Sequence, residues 1–216
     1  MQLRWDEIDA VVWDFNGTLL DDLDLVVRSV NTQLTKRGHP PLTSAEYRDV
    51  FGFPVEDYYR RIGLTFETES MAELSADFFA EYEPHLQACS LQEGVLEVID
   101  ALARRSVRQF VLSAMEEGML QETLKSLGIA ERFVGAYGLA HLEGDSKISR
   151  GRQLLEDFDL LPKATLMVGD TDHDAEVAHA LDMNVLLVST GHQSKAKLRA
   201  TGCPVIDRLS EITFGS

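Results

Sequence analysis

Apolar, β-branched residues run through positions 8–13 and stop at Asp14, where Asn16 and Gly17 spell a turn, so the pattern predicts a short strand ending on an acid. From residue 23 the period lengthens. Leu23, Val26, Val30 and Leu34 recur at helical spacing, and Gly38, Pro40 and Pro41 close the helix. Thr43 with Glu46 reads as a capping box opening another helix. Phe51, Gly52, Phe53 and Pro54 break the pattern, and Met71, Leu74, Phe78, Tyr82 and Leu86 resume it at steps of three and four. Residues 22–91 therefore read as helix without a strand.

Beyond Glu93 and Gly94 helices and strands alternate. A helix carries Val95, Ile99 and Leu102, a strand follows at 107–112, and the next helix ends at Leu127 and Gly128. Further strands are predicted at 133–137, 164–168 and 184–188, with helices between them. Such alternation implies a parallel sheet with right-handed crossovers. The strand at 8–13 has no sheet unless it joins this one, so the helical segment is an insertion. The predicted fold is α/β: a Rossmann-like parallel sheet core from residues 1–21 and 92–216, with residues 22–91 as a helical cap domain. No internal repeat or low-complexity tract interrupts it.

Composition narrows the partners. A chain of 216 residues, 44% hydrophobic, can bury one substantial core plus a small lobe. Its net charge of -16 argues against nucleic acid or anionic membrane as a partner, since both need a positive field. The same charge would repel an anionic substrate, so any phosphate site must carry its own cations or a metal. Cys89 and Cys203 lie far apart without companions at metal-ligand spacing and read as reduced thiols. Residues 1–10 lack the apolar stretch of a signal peptide, and a cytoplasmic protein is expected.

Ligands of an open parallel sheet gather at the carboxyl ends of its strands. The first predicted strand runs into D-F-N-G-T-L-L-D-D at 14–22, the second into Ser113, and the fourth into G-D-T-D-H-D at 169–174, while Lys147 opens the helix after the third. Any one such cluster is ordinarily a turn or a helix cap. Jointly they place a carboxylate nucleophile, a hydroxyl, a lysine and further acids at one sheet edge, the groups that phosphoryl transfer needs.

The set resembles the four motifs of the haloacid dehalogenase superfamily, in order and spacing, over essentially the whole chain. The resemblance implies that Asp14 is the nucleophile, opening a D-x-D-G-T-L pattern. It further implies that Ser113 and Lys147 hold the phosphoryl group, and that Gly169, Asp170 and Asp174 form the G-D-x-x-x-D motif. Mg²⁺ would be bound by Asp14, the main-chain carbonyl of Asn16 and Asp170, with Asp174 as a ligand or in support of one. Substrate, a small phosphorylated metabolite, would meet Ser113, Ala114, Lys147 and, from the cap, Phe53. Within the superfamily, the length, the cap position and the F-G-F-P segment look most like the phosphoglycolate phosphatases.

One position departs from the pattern. The phosphatases carry a second aspartate where this chain has Asn16, and an amide cannot shuttle a proton to the leaving group or from water. The main-chain metal contact survives the change, but losing a general acid/base costs on the order of a hundred- to ten-thousandfold in rate. Asn16 fits a natural variant with its acid elsewhere or a good leaving group in its substrate. It also fits a phosphate- and metal-binding protein with little turnover, or an introduced Asp-to-Asn change. Metal-free dehalogenases also replace this aspartate, but G-D-x-x-x-D has little purpose without Mg²⁺. A phosphonoacetaldehyde-hydrolase-like C–P hydrolase needs a cap lysine, for which Lys36 is the available residue.

His173, inside the fourth motif, is the first candidate for a substitute acid. Arg48, Arg60 and Arg61 could attract an anion but on an acidic helical lobe read as solvated. Glu116 and Glu117 suit a helix start. His141, Glu143 and Asp145 lack metal spacing and carry no assigned role.

Overall fold

A computed structural model of the chain describes residues 4–140 and 146–214. The segment with His141, Glu143 and Asp145 lies outside the described residues. In chain order the elements are β1 (Ala10–Trp13), β2 (Leu20–Asp21), α1 (Leu23–Lys36), α2 (Ser44–Val50), α3 (Val55–Arg61), α4 (Met71–Leu86) and β3 (Ser90–Leu91). There follow α5 (Val95–Ala103), β4 (Arg108–Glu116), α6 (Glu117–Ser126), β5 (Gly135–Leu139), α7 (Lys147–Asp157), β6 (Thr165–Gly169), α8 (Asp172–Ala180), β7 (Asn184–Val188), α9 (Lys195–Ala200) and β8 (Val205–Ile206).

Six strands form one parallel sheet in the order β5-β4-β1-β6-β7-β8. β1 is central because all four of its residues are apolar and buried, which a strand covered on both faces requires. One face packs Val11, Trp13, Val111 and Val168 under α5 and α6, and the other packs Val12, Phe110, Leu112 and Met167 under α7 and α8. The indole of Trp13 donates to Gln109 Oε1 at 3.1 Å and the Gln109 amide donates to the carbonyl of Ile99 at 2.9 Å, so this buried polar pair is satisfied.

The helices of residues 23–86 build a second apolar cluster around Val30, Leu34, Tyr47, Tyr58 and Leu74. Both predicted end signals hold locally: Thr43 and Glu46 form the capping box of α2, and His39 returns its N–H to the Leu34 carbonyl behind α1. Two short strands differ from the expectation. β2 and β3 pair antiparallel, Leu20 against Leu91 and Asp21 against Ser90, so the segment read as strandless contains one strand at its exit. Two residues are too few to show an alternating pattern. β8 escaped for the same reason. β4 runs past Ser113 to Glu116 with a register shift after Leu112, so Ser113 lies within the strand instead of after it. Among the described residues, no helix is long and apolar enough to cross a membrane.

Candidate active site

Local sequence places the charged groups. β1 delivers Asp14 to its carboxyl end, where the N–H of Asp14 still bonds Val168 at 2.8 Å. The chain then turns at Gly17, whose φ of +74° suits glycine, and a Cβ there would lie 2.4 Å from Asp170 Oδ2. Ser146 caps α7, setting Lys147 in its first turn, and Thr171 caps α8 in a box closed by Asp174, whose Oδ2 accepts from Thr171 N–H at 2.9 Å and from its hydroxyl at 2.7 Å.

These ends converge. Lys147 Nζ donates to Asp14 Oδ1 and, at 2.6 Å, to Asp174 Oδ1. Asp170 Oδ1 accepts from the Thr18 hydroxyl at 2.8 Å and Oδ2 from the His192 N–H at 2.6 Å. Carboxylate oxygens of Asp14, Asp170 and Asp174 all lie within 4.8 Å of one another, and all three residues are buried.

Asp14 and Asp174 share one lysine, and Asp170 lies beside them on Thr18 and His192. Burial, then the Asp174 and Asp170 charges, push the Asp14 carboxyl well up against the pull of Lys147. Burial likewise raises Asp170, while His192 pulls it down. For Asp174 burial is outweighed by Lys147 and Thr171, which hold its carboxyl below the ordinary range. A cation would relieve this excess of negative charge, and a donor set made only of oxygens suits a hard divalent ion. A buried Asp cluster that could bind a divalent metal is thus present.

Lys147→Met leaves Asp14 and Asp174 without their cation in a buried site. The variant is expected to lose about 3–5 kcal/mol in metal-free buffer, as when a buried ion pair is broken from one side. Thermal melting with and without Mg²⁺ measures this, the metal recovering more stability in the variant than in the parent; equal melting of the two in chelator would refute it.

Asn16 sits two residues beyond Asp14 with its amide engaged. Nδ2 donates to Asp22 Oδ2 at 2.8 Å and to the Tyr82 hydroxyl at 2.9 Å, and Oδ1 faces the Ser113 hydroxyl at 3.4 Å. Asp22 also accepts from Tyr82, from the Gly17 N–H and from His192 Nε2, the last at 3.1 Å. Burial opposes charge on His192, but Asp22, with Asp170 and Asp14 beyond it, lifts the imidazole to about 9. Burial also opposes ionisation of Asp22, yet His192, Asn16 and Tyr82 hold its carboxyl below the ordinary range.

The predicted residues Asp14, Asn16, Ser113, Ala114, Lys147 and Asp170 all line one cavity of about 490 Å³ between the sheet edge and the helical lobe. Phe53 lines it too, from the lobe. Asp174 stands behind Lys147, with one oxygen on the ammonium and the other on Thr171. His173 is on the cavity wall, its ring 4.6 Å from that of Phe53 and its Nδ1 3.0 Å from Glu176. Lys36 pairs with Asp77 on an exposed face and is not on the wall. Arg48 donates to the carbonyl of Ser189, and Arg60 pairs with Glu56 and Asp57.

Asp22, Tyr82 and His192 were not picked out as site residues by the sequence. His192 follows β7, so the rule that ligands gather at strand ends covers it. Nothing in the lobe's periodicity separates Tyr82 from an ordinary core residue. The lobe is fastened on this side: Ser194 N–H bonds the Arg48 carbonyl at 3.0 Å, and Gln193 and Lys197 both reach the carbonyl of Phe51.

Comparison with known proteins bears on the family and the fold. The family model described as haloacid dehalogenase-like hydrolase matches residues 11–188. The phosphoglycolate phosphatase of Rhodospirillum rubrum is 27% identical, with 94% of this chain and 88% of that protein aligned. A haloacid dehalogenase-like hydrolase from Streptococcus pneumoniae superposes with a TM-score of 0.81 over 93% of this chain and 94% of its own, at 21% identity, a likeness of fold. Protein tyrosine kinase A of Mycobacterium tuberculosis superposes at 0.75, with 26% identity, 95% of this chain and 91% of that one covered.

Proposed function

The chain belongs to the haloacid dehalogenase-like hydrolases, and on that premise we propose that it is a Mg²⁺-dependent phosphatase of small phosphorylated molecules, acting through a phosphorylated Asp14. The observation that carries the proposal is the meeting of Asp14, Lys147, Asp170 and Asp174 at one buried point on the cavity. Residues 22–91 we read as the cap over that site.

In this reading an Asp14 oxygen attacks phosphorus, the P–O bond to the leaving group breaks, and that oxygen departs with the electron pair. Water then attacks phosphorus and releases Asp14 and inorganic phosphate. Lys147 aligns Asp14 and, with the Ser113 hydroxyl, holds phosphoryl oxygens. Asp174 keeps Lys147 in place through its 2.6 Å contact. Asp14, Asp170 and the Asn16 carbonyl would hold Mg²⁺, which offsets the repulsion between carboxylate and phosphate. Asn16 neither gives nor takes a proton, so esters of strongly basic alkoxides turn over slowly. With Lys36 paired to Asp77 outside the cavity, a C–P hydrolase built on a cap Schiff base has no lysine to use.

The test is phosphate release from acetyl phosphate, whose acetate leaves without a proton. Release is expected with Mg²⁺, to vanish in excess chelator and to return on adding the metal. Asp170→Asn is expected to raise the Mg²⁺ concentration needed for half-maximal rate by at least about tenfold, the scale of one lost carboxylate ligand. Bound Mg²⁺ without any release would establish instead a phosphate-binding protein without turnover.

A further inference from the structure

The lobe side of the cavity is lined mainly by apolar groups. From the lobe, Phe78 and Tyr82 lie nearly parallel with centroids 5.2 Å apart, and Phe79 meets Phe78 edge-on at 5.3 Å. These three rings line the cavity together with Met115 and Met119 of the core. Among the described residues on the wall, the only lysine is Lys147, held by Asp14 and Asp174, and there is no arginine. Of the two imidazoles on the wall, His192 is paired with Asp22 and His173 with Glu176, and the exposed Glu83 and Glu116 add negative charge at its edge. A carboxylate or second phosphate on the departing half of a substrate would have no free lysine or arginine to meet. It would lie against rings and thioethers without an unpaired cation, and a buried unpaired anion is strongly disfavoured. An aromatic body would find rings and thioethers at contact distance.

The ring wall begins where the proton is missing. The Tyr82 hydroxyl accepts from Asn16 Nδ2 at 2.9 Å, so the stacked pair of Tyr82 and Phe78 begins beside Asn16. An oxygen leaving there receives no proton from residue 16. Phenoxide leaves without one far more readily than an alkoxide. Wall and amide, two separate observations, ask for the same molecule.

We propose that the substrate is the phosphate monoester of a phenol or a similarly acidic aryl alcohol with an uncharged aromatic body. The inference rests on the phosphatase reading above and narrows its substrate. The P–O(aryl) bond breaks with the electron pair on the phenoxide, which takes its proton from solvent. Water then splits the Asp14 phosphate, so that ester and water give phenol and inorganic phosphate.

Initial rates on the full chain with Mg²⁺ test this with four compounds: acetyl phosphate, phenyl phosphate, benzyl phosphate and phosphoglycolate. Phenyl phosphate is expected to exceed phosphoglycolate in kcat/KM by about a hundredfold or more. Benzyl phosphate, aromatic but with an alkoxide leaving group, is expected to fall below phenyl phosphate by on the order of a hundredfold in kcat/KM, which reports the phosphorylation of Asp14 alone. If acetyl phosphate is hydrolysed but phosphoglycolate equals or beats phenyl phosphate, the aromatic assignment is wrong and the phosphatase reading stands. Failure with acetyl phosphate strikes the reading itself. Equal kcat/KM for benzyl and phenyl phosphate would overturn the leaving-group half. Phe79→Arg, placing a cation on the wall, is expected to lower the phenyl-to-phosphoglycolate ratio at least tenfold; an unchanged ratio would remove the ring wall from the proposal.

Discussion

Asp14→Ala is expected to end phosphate release, by a factor on the order of 10⁴ or more, while the protein folds as well as before. The first half follows from the role proposed for Asp14: without its carboxylate there is no nucleophile, and neither Lys147 nor Ser113 can replace it. The second half follows from electrostatics. Asp14 shares the Lys147 ammonium with Asp174, with Asp170 close by, and burial and these acidic neighbours raise its pKa. A carboxyl with a raised folded-state pKa holds a proton that the unfolded chain has released. Its contribution to stability is therefore present at low pH and lost as pH rises above the ordinary carboxylate value. Alanine removes that loss, and Lys147 keeps Asp174 as a partner at 2.6 Å. Metal-free thermal melts at pH 5 and pH 8 should show the parent losing more stability between the two than the variant. A variant that is inactive because it is unfolded, or one that retains measurable turnover, would contradict the assignment.

Much of this site was legible because its parts sit at the ends of strongly patterned elements. A buried central strand must be apolar throughout, so its end at Asp14 is sharp, and capping residues mark where Lys147 and Asp174 begin their helices. The alternating half of the chain predicted the sheet for the same reason. What stayed hidden depends on distance in sequence. Asp22 is a turn residue until Tyr82, sixty positions later, and His192, a further turn after β7, are brought against it. The apolar spacing of α4 predicted a helix but not which of its rings face a cavity. Phe78 and Tyr82 have the spacing of any core stripe, and only the docking of the lobe makes them a wall. The departure at residue 16 and its cost to proton transfer were visible at once, but its neighbour Asp22 was not, because only the fold sets the two side chains 2.8 Å apart.

That neighbour decides what Asn16→Asp will do. The amide donates to Asp22 Oδ2 at 2.8 Å, and an aspartate in its place would set two carboxylates at hydrogen-bond distance in a buried site. Both cannot be ionised, so the pair holds one proton. His192 pairs with the other oxygen of Asp22 and, with Tyr82, keeps that carboxyl ionised, which leaves the proton on residue 16. A protonated carboxyl next to Ser113 is the general acid that the amide cannot be. The variant is therefore expected to hydrolyse alkyl monoesters such as benzyl phosphate on the order of 10²- to 10⁴-fold faster than the parent. Phenyl phosphate should gain less and acetyl phosphate least, because their leaving groups need less help and what remains is faster attack of water on the Asp14 phosphate, a step all three share. Stability moves the other way. Residue 16 would carry a carboxyl with a raised folded-state pKa, so its contribution is full below about pH 4 and falls as pH rises toward that raised value, whereas the amide is indifferent to pH. The melting temperature of the variant should accordingly drop further below that of the parent at pH 8 than at pH 5. A folded variant with no gain on benzyl phosphate would show that the proton reaches the leaving oxygen from another group, and His173 on the cavity wall would be the first to replace.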